Sequence, residues 1–169
     1  MNKFTVPLSN DYGLPVIYIS GLPALIDTGA AIPVFSIYPN LLEKAFDAKL
    51  VYDNKFVSGF GGRDAGAIYE IKNFSIGKLH FNNIEVFVPN KPKLKYPLLL
   101  SATLFHGVKY EIDTIDNILT VTTKDTDNLE RDFRIKNLKG ELYPQINGVL
   151  IESTDLNLIE PSVYSIELE

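Results

Sequence analysis

The chain has 169 residues, 46% of them apolar and 22% charged, the proportions of one globular domain rather than of a disordered, collagen-like or coiled-coil chain. It contains no cysteine, which excludes thiol nucleophiles, thiolate metal sites and disulfide staples and fits a reducing, cytoplasmic setting. The net charge is −5; residues 1–121 carry eleven acidic and eleven basic side chains, while from Gly140 onward there are six carboxylates and no Lys or Arg, a surface that would repel a phosphate backbone and predicts no nucleic-acid partner.

Taken in chain order, the pattern is mostly of strand type. Thr5–Leu8, Leu14–Ser20 and Ala24–Ile26 are short, β-rich and separated by Gly, Pro, Asn and Asp. Ile32–Phe35, Leu50–Phe60, Ala67–Ile76, Leu79–Val88, Lys109–Ile112 and Ile118–Thr122 continue it, with turns expected at Asp11-Tyr12-Gly13 and Asn82-Asn83. Two segments read as helix. Pro39–Phe46 has proline in its first turn and Leu41, Leu42, Ala45 and Phe46 as its apolar face. Ser101–Gly107 makes one or two turns, with Ser101 as N-cap and Gly107 as stop. Beyond the polar stretch Thr122–Asn128, the runs Arg131–Ile135, Glu141–Ile146 and Val149–Glu152 read as further strands, with Asn147-Gly148 a hairpin turn. The expectation is an all-β fold with one or two short helices. Residues 1–121 form the main body, and residues 122–169 are a β-rich extension packed on it. No apolar run approaches a bilayer span, and the N-terminal segment has neither a long apolar stretch nor a small-residue cleavage site, so neither a membrane partner nor a secretory leader is expected.

The segment richest in chemistry is Ala24-Leu25-Ile26-Asp27-Thr28-Gly29-Ala30. An apolar strand ends in an acid, and burying that acid is costly unless its charge is stabilised or used. Gly29 allows backbone N–H groups to approach the carboxylate, and the Thr28 hydroxyl can fix the turn. The tripeptide alone is also the pattern of an Asx turn closing a strand.

With its flanking apolar segments, Asp27-Thr28-Gly29-Ala30 resembles the active-site motif of aspartic proteases. One copy per chain resembles the single-domain, retropepsin-like branch, in which two identical subunits each supply one aspartate. Ser58-Gly59-Phe60-Gly61-Gly62 resembles that family's Gly-rich flap, here placed in Val57–Gly66. Leu99-Leu100-Ser101, the short helix after it and Tyr110-Glu111-Ile112-Asp113 resemble its late signature, with Ser101 standing where the family has glycine. The resemblance covers roughly residues 3–121. It implies a retropepsin-like closed or partly closed β-barrel and a homodimer acting on a peptide or protein substrate. Asp27, Thr28 and Gly29 would be catalytic, and Ala30, Gly59, Phe60, Gly61 and Gly62 would contact substrate.

One aspartate cannot both activate water and protonate a leaving amine, whereas two close carboxyls sharing a proton can. The alternative is a catalytically weak or inactive dimeric module that holds extended peptides by strand addition. A purely structural β-protein is the third reading. Asp113-Thr114 repeats two letters of the motif but precedes Ile115, and reads as strand end and turn. His80 is expected to face solvent and His106 to end the short helix. No ligand spacing suggests a metal and no Gly-Lys-Ser/Thr loop suggests a nucleotide, so no cofactor is expected.

Overall fold

The computed structural model describes residues 2–9, 13–59, 62–92, 94–124 and 130–151. They form an all-β fold with one α-helix and one 3₁₀ helix. The strands are β1 (Asn2–Pro7), β2 (Val16–Ile19), β3 (Leu22–Asp27) and β4 (Val34–Phe35), followed by helix α1 (Pro39–Ala45). The long pair β5 (Ala48–Gly59) and β6 (Gly62–Ile76) comes next, then β7 (Leu79–Pro89) and β8 (Leu98–Ser101). The 3₁₀ helix Ala102–Phe105 leads to β9 (Lys109–Asp113) and β10 (Ile118–Thr123). After these come β11 (Glu130–Leu138), β12 (Glu141–Ile146) and β13 (Val149–Leu150).

β1, β10 and β9 make a small antiparallel sheet. The larger sheet runs β13-β12-β11-β7-β4-β8-β3-β2, with β6 also paired to β7 and β5 to β6. Among the described strands this order is open between β13 and β2. β7 organises it: β6 lies antiparallel along its length, while β11 pairs parallel near His80–Ile84 and β4 pairs parallel at Phe87. The strands after residue 130 therefore lie in the larger sheet with β2–β8.

The core follows from strand phase. In β11 the pattern alternates, so Arg131, Phe133 and Ile135 point inward while Asp132 and Arg134 are half-buried. Phe133, Ile135, Ile146 and Ile151 belong to the same hydrophobic cluster as Phe35, Phe74 and Phe81. Phe35, Phe46 and Phe74 pack with ring centroids 5.7–5.9 Å apart, within the range of favourable tilted aromatic contacts. On the outer face Arg134 fastens β11 to β6 and β7: its Nη1 donates to Glu70 at 2.5 Å and to Glu85 at 3.3 Å, while its Nε donates within β11 to Asp132 at 3.1 Å. Burial alone would lower its pKa, but the Glu70, Asp132 and Glu85 carboxylates outweigh that and hold it up. Glu85, itself buried, also accepts the Ile135 N–H at 2.7 Å.

Several expectations are met and others corrected. Asn147 and Gly148 have φ of 47° and 83°, the pair of left-handed residues a tight hairpin requires. Asn82-Asn83 is not a turn: both residues lie inside β7, where the β6 and β11 registers each skip Asn82, and the turn falls at Gly77-Lys78. Asn82 is the extra residue of a bulge against β11, and the left-handed asparagine in this region is Asn73 on β6, with φ 57°. On α1 only Leu42 is buried, with Phe46 half-buried; Leu41 and Ala45 are exposed. A helix this short seats one ridge, Leu42 and Phe46 four residues apart, and leaves the neighbouring positions outside. The Asp11-Tyr12 turn lies outside the described residues.

Candidate active site

β3 lies between β2 and β8, hydrogen-bonded to both. It is covered on both faces, so Ala24, Leu25, Ile26 and Asp27 are all buried and the strand does not alternate. Asp27 ends that strand at 1% exposure. Parallel register sets Asp27 beside Ser101, the last residue of β8.

The chain then folds back over the end of β8. The Gly29 N–H donates to Asp27 Oδ1 at 3.0 Å, and the Ala30 N–H to the Asp27 carbonyl at 3.2 Å. After the turn β4 returns antiparallel to β8, so β8 is held between the two limbs of one loop. The loop is pinned from the β8 side as well. The Ala102 N–H donates to the Ala30 carbonyl at 3.3 Å, and the Thr103 hydroxyl to the Ala31 carbonyl at 2.6 Å. Because Thr103 spends its one proton on a carbonyl, the 2.7 Å contact between Ser101 Oγ and Thr103 Oγ1 has Ser101 as donor. Asp27, Thr28, Gly29 and Ala30 thus share one turn, braced by a chain of hydroxyls from Ser101 through Thr103.

Ser101 sits at the N-terminal boundary of the 3₁₀ helix, but its side chain does not cap the helix backbone. It is fully buried and its hydroxyl bonds Thr103 instead. The extra volume at this position is taken up by a bond that strengthens the loop. Sequence reading missed Thr103; the available signal was a hydroxyl residue two places after Ser101 in an otherwise apolar stretch.

A further link comes from β11. The buried Arg131 guanidinium donates from Nη1 to the Leu104 carbonyl at 2.8 Å and from Nη2 to the His106 carbonyl. These carbonyls end the 3₁₀ helix that carries Thr103. Burial pushes the guanidinium down to about 10, so it stays charged at neutral pH.

The remaining candidates fall elsewhere. Gly59 and Gly62 pair with each other at the tip of the β5–β6 hairpin, and Phe60 and Gly61, between them, lie outside the described residues. Asp113 ends β9 at the surface, where its Oδ1 accepts the Ile115 and Asp116 N–H groups at 2.8 and 3.0 Å. The Asp116 and then the Ile115 backbone bonds lower its pKa. Both aspartates accept the N–H two residues on, as in an Asx turn, but Asp113 does so at the surface whereas Asp27 is buried at the end of its strand. His80 is half-buried and its Nδ1 meets the Ser75 hydroxyl at 3.0 Å, while His106 is exposed. A cavity of about 350 Å³, lined by Ile17, Ile19, Phe46 and Phe74 among others, opens near the other end of β2 and contains none of the candidate residues. Among the described residues no cluster of three or more His, Asp or Glu is placed to hold a metal, and no helix is long and apolar enough to cross a membrane.

Comparison of the chain with family models, with curated proteins and with solved structures returned no match.

Proposed function

We propose that the protein is a homodimeric aspartic endopeptidase in which Asp27 of each subunit meets across a two-fold axis. The observation that carries this reading is a carboxylate buried at the end of a strand paired on both sides, in a turn clamped by its own backbone and by the residues after β8. A surface turn such as that at Asp113 needs no such investment. An isologous interface brings the same residue of both subunits together when it lies near the axis, which supplies the second carboxyl that a single Asp-Thr-Gly chain lacks.

The chemistry follows from the pair. Like charges a few ångström apart oppose double ionisation, so the pair keeps one proton, and its titration belongs to both groups. The ionised carboxylate takes a proton from water as the water oxygen bonds the peptide carbonyl carbon. The protonated partner supports the developing oxyanion, and a proton passes to the amide nitrogen as the C–N bond breaks. No covalent enzyme adduct forms. The Gly29 N–H on Asp27 Oδ1 and the braced loop fix the carboxyl's orientation. The β5–β6 hairpin, with Gly59 and Gly62 at its tip, would serve as the flap that closes over an extended substrate.

The second reading, a dimeric module that binds extended peptides without cleaving them, rests on Ser101 standing beside Asp27 in place of the family glycine. Incubation of the wild type and Asp27→Asn with a peptide library at mildly acid to neutral pH separates the two. The enzyme reading expects cleavage by the wild type alone. Equal cleavage by both refutes the aspartic mechanism, and binding without cleavage by either supports the module.

A further inference from the structure

We infer that Arg131, contributed by the segment after the main body, is a positioning residue for the loop that carries Asp27. The inference rests on the reading of Asp27 as the reacting group, and it extends the site to a strand more than a hundred positions away in the chain. Three observations carry it. Arg131 is 2% exposed and lies in phase with Phe133 and Ile135, where alternation calls for an aliphatic side chain. Its guanidinium reaches the carbonyls of Leu104 and His106, the end of the 3₁₀ helix. The same helix carries Thr103, whose hydroxyl holds Ala31, and begins at Ala102, whose N–H holds Ala30.

The physical argument turns on cost. A buried guanidinium is expensive, and an aliphatic residue would fill the same core position at lower cost. What the arginine adds is geometry: a planar fork that donates to two carbonyls at once and fixes the pitch of a short helix that has few bonds of its own. A 3₁₀ turn of four residues would otherwise be free to fray, and its fraying would release Thr103 and with it the loop. Arg134, three residues on and in the opposite phase of the strand, anchors β11 through Glu70 and Glu85. It therefore separates docking of β11 in general from the action of Arg131 in particular.

The test compares Arg131→Met, Arg131→Lys and Arg134→Gln in the full chain, by amide hydrogen exchange at residues 29–32 and 102–104, with peptide kcat and KM measured in parallel. Arg131→Met should raise exchange at both segments about tenfold or more, while β6 and β7 keep their rates. Arg131→Lys, which keeps the charge and loses the fork, should fall between Arg131→Met and wild type. Arg134→Gln should leave the loop at wild-type protection. In kinetics, Arg131→Met should lower kcat with KM little changed. Wild-type exchange at residues 29–32 in Arg131→Met overturns the inference, and so does equal loosening in Arg134→Gln, which would make Arg131 one anchor among several. Should Arg131→Met not fold, Arg131→Lys decides by the same criteria. Exchange needs no substrate, so a chain that cleaves nothing defeats the peptidase reading while leaving this positioning role to be judged on exchange alone.

Discussion

Thr103→Val removes one hydroxyl and almost no volume, which makes it the sharpest probe of the brace behind Asp27. The substitution strands two groups: the Ser101 hydroxyl, fully buried, and the Ala31 carbonyl, half-buried and within reach of water. A stranded buried group costs about 1–3 kcal/mol, and a partly solvated one falls at or below the lower limit, so the single variant should lose about 2–3 kcal/mol. Ser101→Ala leaves the Thr103–Ala31 bond intact and should cost only about 1 kcal/mol. The double variant no longer contains a stranded serine. Its loss should be about 1–2 kcal/mol, well short of the sum of the singles, a coupling of roughly 2 kcal/mol in a double-mutant cycle. Urea denaturation of the four proteins, with the slope checked for constancy, measures it. Losses that add to within about 0.5 kcal/mol would show that the two hydroxyls act independently and refute the brace.

Four other outcomes follow from the same structure. Asp113 has its pKa lowered in the folded state, so its contribution is present above its ordinary 3.8 and is lost as pH falls through the folded value; Asp113→Asn should lower the thermal midpoint at about pH 7 and leave it unchanged near pH 2. Gly66→Ala would drive a methyl against the Val88 carbonyl and to 2.6 Å from the Phe87 ring, an overpacking cost of about 1–3 kcal/mol or more. Gly61→Val and Gly62→Val, in the segment that resembles a flap, should instead reduce turnover with a largely retained melt, and unchanged kinetics in both would make the loop an ordinary hairpin. Truncation after Thr123 removes Phe133, Ile135, Ile146 and Ile151 from the core, a loss of more than about 5 kcal/mol that rivals a domain's whole stability; a truncated chain that melts with the full one would refute the role given to that segment.

What could be read from the sequence was what neighbouring residues decide among themselves. The Asn147-Gly148 turn is local chemistry, and the strands flanking it followed. The burial of Asp27 was foreshadowed by Ala24-Leu25-Ile26, because three consecutive apolar residues before an acid do not fit a strand with one wet face. The partner of that strand was not legible: β8 lies some seventy residues on, and nothing local says that Leu99 will pair with Leu25. Thr103 was hidden for the same reason, since its value comes from a carbonyl 72 positions away. Arg131 was half legible. Its phase with Phe133 and Ile135 was present in the expected strand, but an inward arginine gives no indication of which carbonyls it will meet. Leu41 shows the opposite error: an apolar stripe wide enough for a longer helix was assigned to one that buries a single ridge.

The central claim, that hydrolysis needs Asp27 from two subunits at once, is tested most directly by subunit mixing. Wild type and Asp27→Asn are unfolded together, refolded at fixed total concentration and varied ratio, and assayed for peptide cleavage. Random two-fold association predicts activity that follows the square of the wild-type fraction, about a quarter of full activity at an equal mixture. Activity proportional to the wild-type fraction itself, or cleavage by Asp27→Asn alone, would contradict the shared-aspartate site.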